Sequence, residues 1–205
     1  MIKAIFLDMG DVLVDLNLER CHRAFKERIG FTKIEDYLGT MHQRGYFGKL
    51  EKGVMSEEEF YAETRRHCRP DVTDQEIFDC LNTLLVGIEP YKADVLKELA
   101  SKYDIYMLSN QNVCSNRVCA GFFEELGIPM EKIFKDLFLS YRMKMLKPFQ
   151  AIFKEAIRRS GHKKEEILFI DDSPRNIAAA RKAGLNAVQF TPREDLRAFF
   201  DRVLQ

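Results

Sequence analysis

The chain predicts an α/β fold: a parallel sheet wrapped by helices, with a helical module inserted after the first strand. Three observations carry this. Short apolar runs recur at "KAIFLD", "YDIYMLSN", "LFLSYRM", "EILFIDD" and "NAVQF", rich in β-branched and aromatic residues and too short for helices. Segments of helical period separate them, the alternation expected of strand–helix–strand units. The stretch from Leu16 to Ile88, between the first and second runs, is far longer than one crossover helix requires.

Each element has its own signal. The first run ends abruptly in Asp8, as a buried parallel strand does when it delivers a polar group to a sheet edge. Inside the long intervening stretch, Ser56 with Glu59 and Thr73 with Glu76 have capping-box spacing and predict two helix starts. Gly45, Gly48 and Gly53 cluster in "RGYFGKLEKGV" and predict a turn or loop between helices. Further on, "KPFQAIFKEAIRRSG" reads as a helix with Pro148 near its first turn and Gly161 at its end, and "SPRNIAAARKAG" repeats the pattern with Pro174 and Gly184. The expected organisation is a core built from residues 1–15 and 89–205, with residues 16–88 forming a helical cap. Right-handed crossovers would then bring every strand's C-terminal end to one edge, where α/β proteins gather ligands.

Composition narrows the function. With 205 residues the chain can bury one sizeable core. Lys plus Arg equals Asp plus Glu, 32 each, which removes the positive field that nonspecific nucleic-acid binding needs. The N-terminus lacks the pattern of a signal peptide and no run approaches transmembrane length, so a cytoplasmic protein without a membrane partner is expected. Five cysteines without CxxC spacing predict reduced structural thiols.

Four polar clusters fall at the ends of successive apolar runs: Asp8; Ser109 and Asn110; Lys147 and Pro148; Asp171 and Asp172. A strand-terminal Ser-Asn is ordinarily a turn or cap, and a lone lysine before a helix is ordinarily surface. Cap chemistry alone, however, has no reason to recur at each strand end. In this order and company, "FLDMGDVLV", "YMLSN", "LKP" and "LFIDDSPRNIAAARKAG" resemble the motifs of the haloacid dehalogenase-like superfamily of hydrolases. The "DMG" form is similar to its helical-cap branch of bacterial sugar-1-phosphate phosphatases and the N-terminal phosphatase domain of soluble epoxide hydrolases.

The resemblance implies a Rossmann-like core and a phosphatase acting on a small phosphomonoester. Asp8 would attack phosphorus and form an aspartyl-phosphate, and Lys147 would offset the charge. Ser109 and the Asn110 backbone would hold the phosphate oxygens together with Lys147. Mg²⁺, which prefers hard oxygen ligands, would be bound by Asp8, the backbone carbonyl of Gly10 and Asp172, with Asp171 acting through water or orienting the others.

Gly10 is where the sequence departs from most of these phosphatases, which place a second Asp two residues beyond the nucleophile to protonate the leaving oxygen. Losing such a group costs about 10²–10⁴ in rate. One reading keeps a phosphatase that prefers leaving groups needing little protonation, such as aryl, acyl or anomeric sugar phosphates. A second recruits Asp11, although adjacent residues of an extended segment face opposite ways; its bland reading is a turn residue, and Asp15 is similar. Alternatives are a catalytically weakened binding or regulatory protein and a 2-haloacid dehalogenase. The retained Asp171–Asp172 pair weighs against the dehalogenase, because clustered carboxylates need a cation.

His42, Arg44, Tyr46 and Phe47 are the residues of the helical module expected to reach the substrate, with helix packing as the bland alternative. His67, Cys114 and Cys119 read as structural. The final "REDLRAFFDRVLQ" carries an apolar stripe through Leu196, Phe199, Phe200, Val203 and Leu204 that suits a helix docked on the core or a homodimer contact.

Overall fold

A computed structural model describes residues 1–39 and 43–204. The chain runs β1 (Ala4–Leu7), β2 (Asp15–Leu16), α1 (Leu18–Ile29), α2 (Gly45–Lys52), α3 (Glu57–Arg65), α4 (Asp74–Asn82), β3 (Leu85–Gly87), α5 (Tyr91–Lys102), β4 (Asp104–Ser109), α6 (Val113–Glu125), α7 (Met130–Ile133), β5 (Leu137–Leu139), α8 (Ser140–Met143), α9 (Gln150–Ser160), β6 (Ile167–Asp171), α10 (Pro174–Ala183), β7 (Asn186–Gln189) and α11 (Leu196–Val203). Among the described residues no helix is long and apolar enough to cross a membrane.

Five strands form a parallel sheet in the order β5-β4-β1-β6-β7. The chain therefore builds to one side of β1 and then returns to the other, which places the change of direction beside β1. The pleat sorts the side chains of β1. Ile5 and Leu7 join one apolar cluster with Ile105 and Met107, while Ala4 and Phe6 join the opposite one with Tyr106 and Leu108. All four residues of β1 are fully buried, so the run reads as continuous apolar sequence rather than as an alternation.

Helices α1–α4 carry a third apolar cluster, with Phe25, Phe31, Phe47, Leu50, Phe60 and Ile77 among its members, which α6 joins through Cys114. An antiparallel ribbon of β2 and β3 lies at the base of these helices, Asp15 opposite Gly87. Both predicted capping boxes are present, at Ser56 with Glu59 and at Thr73 with Glu76. His67 stacks on Phe31 with ring centroids 5.0 Å apart, and all five cysteines are free thiols. At the C-terminus, α11 buries Leu196, Phe199 and Phe200 in the cluster that holds Ile5 and Leu7.

Three local expectations change. The glycine-rich "GYFGKLEK" forms α2, whose Tyr46, Phe47 and Leu50 are buried; Gly45 opens it in the left-handed region at φ +56°, and Gly53 ends it at φ +70°. "LFLSYRM" is strand only to Leu139, after which Ser140–Met143 turns as one helical turn. Pro148 lies ahead of α9, whose N-cap is Phe149.

Gly53 also binds the two parts of the molecule. A Cβ built there would lie 2.1 Å from the backbone oxygen of Tyr141, and the Gly53 carbonyl accepts a hydrogen bond from Lys144 Nζ. Gly53→Ala is therefore expected to lower the unfolding free energy by at least about 1 kcal/mol, from the left-handed backbone alone, with the close contact adding to it. Urea denaturation followed by circular dichroism measures the loss.

Candidate active site

The four clusters converge. The Asp8 N–H donates to the Ile170 carbonyl at 2.9 Å, which continues the β1–β6 register and sets Asp8 beside Asp171. Ser109 ends β4 on the other side of β1. Lys147 arrives on the segment between α8 and α9. Its ammonium stands 2.9 Å from Asp8 Oδ1 and 2.6 Å from Asp171 Oδ2, and its side chain is 1% exposed. The ring of Phe169 lies 5.5 Å from the same ammonium.

Neighbouring groups hold these side chains. Asn110 and Lys147 exchange two hydrogen bonds, Asn110 Nδ2 donating to the Lys147 carbonyl at 2.9 Å and the Lys147 N–H donating to Asn110 Oδ1 at 2.8 Å. The Asn110 side chain thus fixes the lysine backbone, which leaves its own backbone for other partners. Asp171 is fully buried and accepts from the Ser173 N–H and Asn176 Nδ2, both at 2.9 Å. Asp8 Oδ1 also accepts from the Met9 N–H at 2.7 Å. Among the described residues Asp8 Oδ2 takes no hydrogen bond.

Oxygens of Asp8, Asp171 and Asp172 lie within 4.8 Å of one another. One lysine does not balance three carboxylates so close together, and the donors are all hard oxygens, so the set fits a divalent cation of the magnesium type. The electrostatics agree. Burial works against the charge of Lys147, but Asp171 and Asp8 outweigh it and push its pKa up. Burial raises Asp171, with Lys147 opposing and Asp8 reinforcing. Asp172 is pushed up to about 6 by burial, Asp8 and Asp11.

The open cleft over these groups, about 220 Å³, is lined by Asp8, Gly10, Ser109, Asn110, Lys147 and Asp172, and also by Asp11, Gln43 and Glu51. Gly10 presents only backbone, and a Cβ there would lie 2.9 Å from Leu16 Cδ1. Asp11 reaches the cleft because the chain does not stay extended: its φ is +53° and its carboxylate accepts from the Leu16 N–H at 3.2 Å. The rule that neighbouring residues face opposite sides fails at this turn. Asp15 lies in β2 and pairs with buried Lys92 at 3.3 Å.

Of the four residues expected from the helical module, Phe47 lines an adjoining apolar cleft with Met9 and Leu50. Tyr46 is buried among Tyr37, Phe47 and Phe60, Arg44 is exposed ahead of α2, and His42 lies outside the described residues. Sequence reasoning missed Gln43 and Glu51. The α2 segment reads as a loop because of its glycines, and Glu51 sits between two lysines like an ordinary surface charge. Asn176 was also missed, though it stands in the same "DDSPRN" run as Asp171.

A parallel sheet ending in an aspartate, a buried lysine and an acidic pair, overhung by helices, defines a hydrolase centre built from carboxylates and a cation site at the edge of a Rossmann-like sheet. The chain belongs to the haloacid dehalogenase-like hydrolase family, whose model matches residues 2–184. A D-ribitol-5-phosphate phosphatase of Bacteroides thetaiotaomicron is 30% identical over 190 residues, covering 92% of each chain. A crystal structure of a haloacid dehalogenase family enzyme from Bacteroides thetaiotaomicron, in complex with magnesium and inorganic phosphate, superposes with a TM-score of 0.90 at 36% identity, over 98% of this chain and 100% of that one. A predicted family hydrolase from Porphyromonas gingivalis gives 0.92 at 35% identity, over 100% of this chain and 98% of the other.

The folded Asp172 carboxyl keeps its proton up to about pH 6, against 3.8 ordinarily. Between those values the folded state binds more protons than the unfolded one, so stability falls as pH rises. Without a divalent cation the melting temperature is expected to drop across this window. Added cation should raise it more at pH 7.5 than at pH 5, because protonated carboxyls compete with the ion. Differential scanning fluorimetry with and without chelator checks both.

Proposed function

We propose that the protein is a Mg²⁺-dependent phosphatase that hydrolyses a small sugar or polyol phosphomonoester through a phosphorylated Asp8. The observation that carries this is the Lys147 ammonium held between Asp8 and Asp171, with Asp172 beside them. The likeness to a D-ribitol-5-phosphate phosphatase supports the polyol or sugar class, and the magnesium and phosphate of the similar crystal structure support the ion.

Lys147 and the Met9 N–H hold Asp8 Oδ1 in place, and Oδ2, which takes no hydrogen bond among the described residues, is the oxygen for attack on phosphorus. Attack forms an Oδ2–P bond and breaks the P–O bond to the alcohol; water then displaces the carboxylate and releases inorganic phosphate. Lys147 lowers the repulsion between the carboxylate and the phosphate dianion. Ser109 and the Asn110 backbone meet the phosphoryl oxygens, while the Asn110 side chain keeps Lys147 in place. Asp8, Asp172 and the Gly10 carbonyl would hold Mg²⁺, with Asp171 orienting the set through Lys147 and Asn176. When bound, the ion neutralises the charge of the carboxylates and the phosphate.

Residues 16–88 act as a cap over this edge, excluding water and selecting the part of the substrate beyond phosphate. The three clustered carboxylates weigh against halide displacement, which has no use for a cation. They weigh equally against a site retained only for binding, since the nucleophile, lysine and acids are all kept in working geometry.

The test is phosphate release from a panel of sugar and polyol phosphates and from 4-nitrophenyl phosphate, with and without Mg²⁺. Activity is expected only with the ion, with an acid-stable phosphoenzyme trapped from labelled substrate. Asp8→Asn should abolish both turnover and label. Lys147→Met should lower kcat by about 10²–10³-fold, the scale of one lost electrostatic stabiliser. No turnover of any phosphate ester, or turnover unchanged in Asp8→Asn, would refute the reading.

A further inference from the structure

Expelling an alkoxide from a phosphate ester requires a proton at the departing oxygen, and the site described so far has no obvious source. Gly10 has no side chain. Asp171 is enclosed by Lys147, Ser173 and Asn176, and Asp11 is engaged by the Leu16 N–H. One acid in the cleft remains unaccounted for.

Glu51 comes from the last turn of α2, and three contacts fix that turn against the sheet edge. The Glu51 carbonyl accepts from Ser140 Oγ at 2.7 Å, and Ser140, fully buried, also accepts from the Gln111 N–H at 2.9 Å. Lys144 donates to the Gly53 carbonyl, and Gly53 lies against the Tyr141 backbone. The Glu51 side chain therefore has a defined place. It lines the cleft with Asp8 and Lys147, the adjoining apolar cleft with Met9 and Ser109, and the one with Pro148 and Arg175. No hydrogen bond or ion pair engages its carboxyl among the described residues.

Resting on the phosphatase reading, we propose that Glu51 is the general acid and base of this site, supplied from the helical segment in place of the side chain that Gly10 lacks. As Asp8 Oδ2 bonds to phosphorus and the P–O bond breaks, the Glu51 proton passes to the leaving oxygen and the alcohol departs neutral. The Glu51 carboxylate then takes a proton from water as its oxygen bonds to phosphorus; Asp8 leaves as carboxylate, inorganic phosphate is released, and Glu51 is again protonated. The environment suits both roles. Burial pushes its pKa up to about 7, Lys147 opposing and Asp8 reinforcing; Asp11, Asp172 and Arg175 are the other charged groups facing these clefts. A carboxyl titrating near neutrality can give and take a proton at working pH.

The test compares wild type, Glu51→Gln and Asp11→Asn on ribitol 5-phosphate and 4-nitrophenyl phosphate with Mg²⁺, by stopped flow and steady state. In Glu51→Gln, phosphorylation by the alkyl ester should slow by about 10²–10⁴-fold. The 4-nitrophenyl ester, whose leaving group needs no proton, should still give a burst of about one nitrophenolate per site, followed by slow turnover and accumulated phosphoenzyme. The alkaline fall in wild-type kcat for the alkyl ester should vanish in the variant, and Glu51→Asp should recover part of the rate. Equal loss of the burst and of alkyl turnover, no loss of either, or the leaving-group-selective loss appearing in Asp11→Asn instead would overturn the assignment while leaving the phosphatase reading intact. A wild type inert to every ester of the panel would overturn the two together.

Discussion

A lysine ammonium buried between two aspartates is the constraint around which this molecule is arranged. Lys147 is 1% exposed at its side chain, yet it lies 2.9 Å from Asp8 and 2.6 Å from Asp171. A charge withdrawn so far from water is tolerable only when paired and hydrogen-bonded. Three separate segments must therefore agree in register before the pair can form: β1 and β6 as neighbours in the sheet, and the segment that follows α8. Asn110 ties that last segment to the end of β4 through its two hydrogen bonds with Lys147. The centre thus welds the sheet edge together, and the surplus of negative charge around it is what a cation would answer.

The helical segment completes the edge without touching the ion pair. Its helices pack on one another around Phe47 and Phe60, rings 4.9 Å apart and nearly perpendicular, in an apolar cluster whose members include no residue of the five-stranded sheet, although α6 joins it through Cys114. Its attachment to the sheet edge is instead polar and local: Ser140 to the Glu51 carbonyl, Lys144 to the Gly53 carbonyl, and a glycine where the backbones meet. An apolar cluster built apart from the strands of the sheet is a construction that can change its lining residues without disturbing the carboxylates below. That separates the chemistry at the strand ends from the recognition of whatever the phosphate is attached to.

Legibility followed physical range. The strands and most helices of the core could be read because apolar runs and caps are local signals: Ile5 to Leu7, Ile167 to Ile170 and the boxes at Ser56 and Thr73 all occur where expected. So did the polar residues at the strand ends, because a parallel sheet has one C-terminal edge and the order of the runs puts them there. The α2 segment was misread since burial of Tyr46, Phe47 and Leu50 overrode the low helix propensity of Gly48, while Gly45 and Gly53 serve at its ends. Asp11 is the turn residue its simpler reading made it, but the positive φ that turns it toward the cleft is invisible in an apparently extended run.

By itself the amino-acid sequence determined the α/β class, the inserted helices and the set Asp8, Ser109, Asn110, Lys147, Asp171 and Asp172, because period and position along strands are encoded over a few residues. Only the tertiary structure decided that Lys147 bridges two aspartates rather than facing solvent, that the Asn110 side chain serves the lysine backbone, and that Glu51 of α2 shares the cleft with Asp8. Those facts depend on segments tens to more than a hundred residues apart meeting in space. No local pattern records such a meeting, since it is set by how the sheet edge and the helices pack.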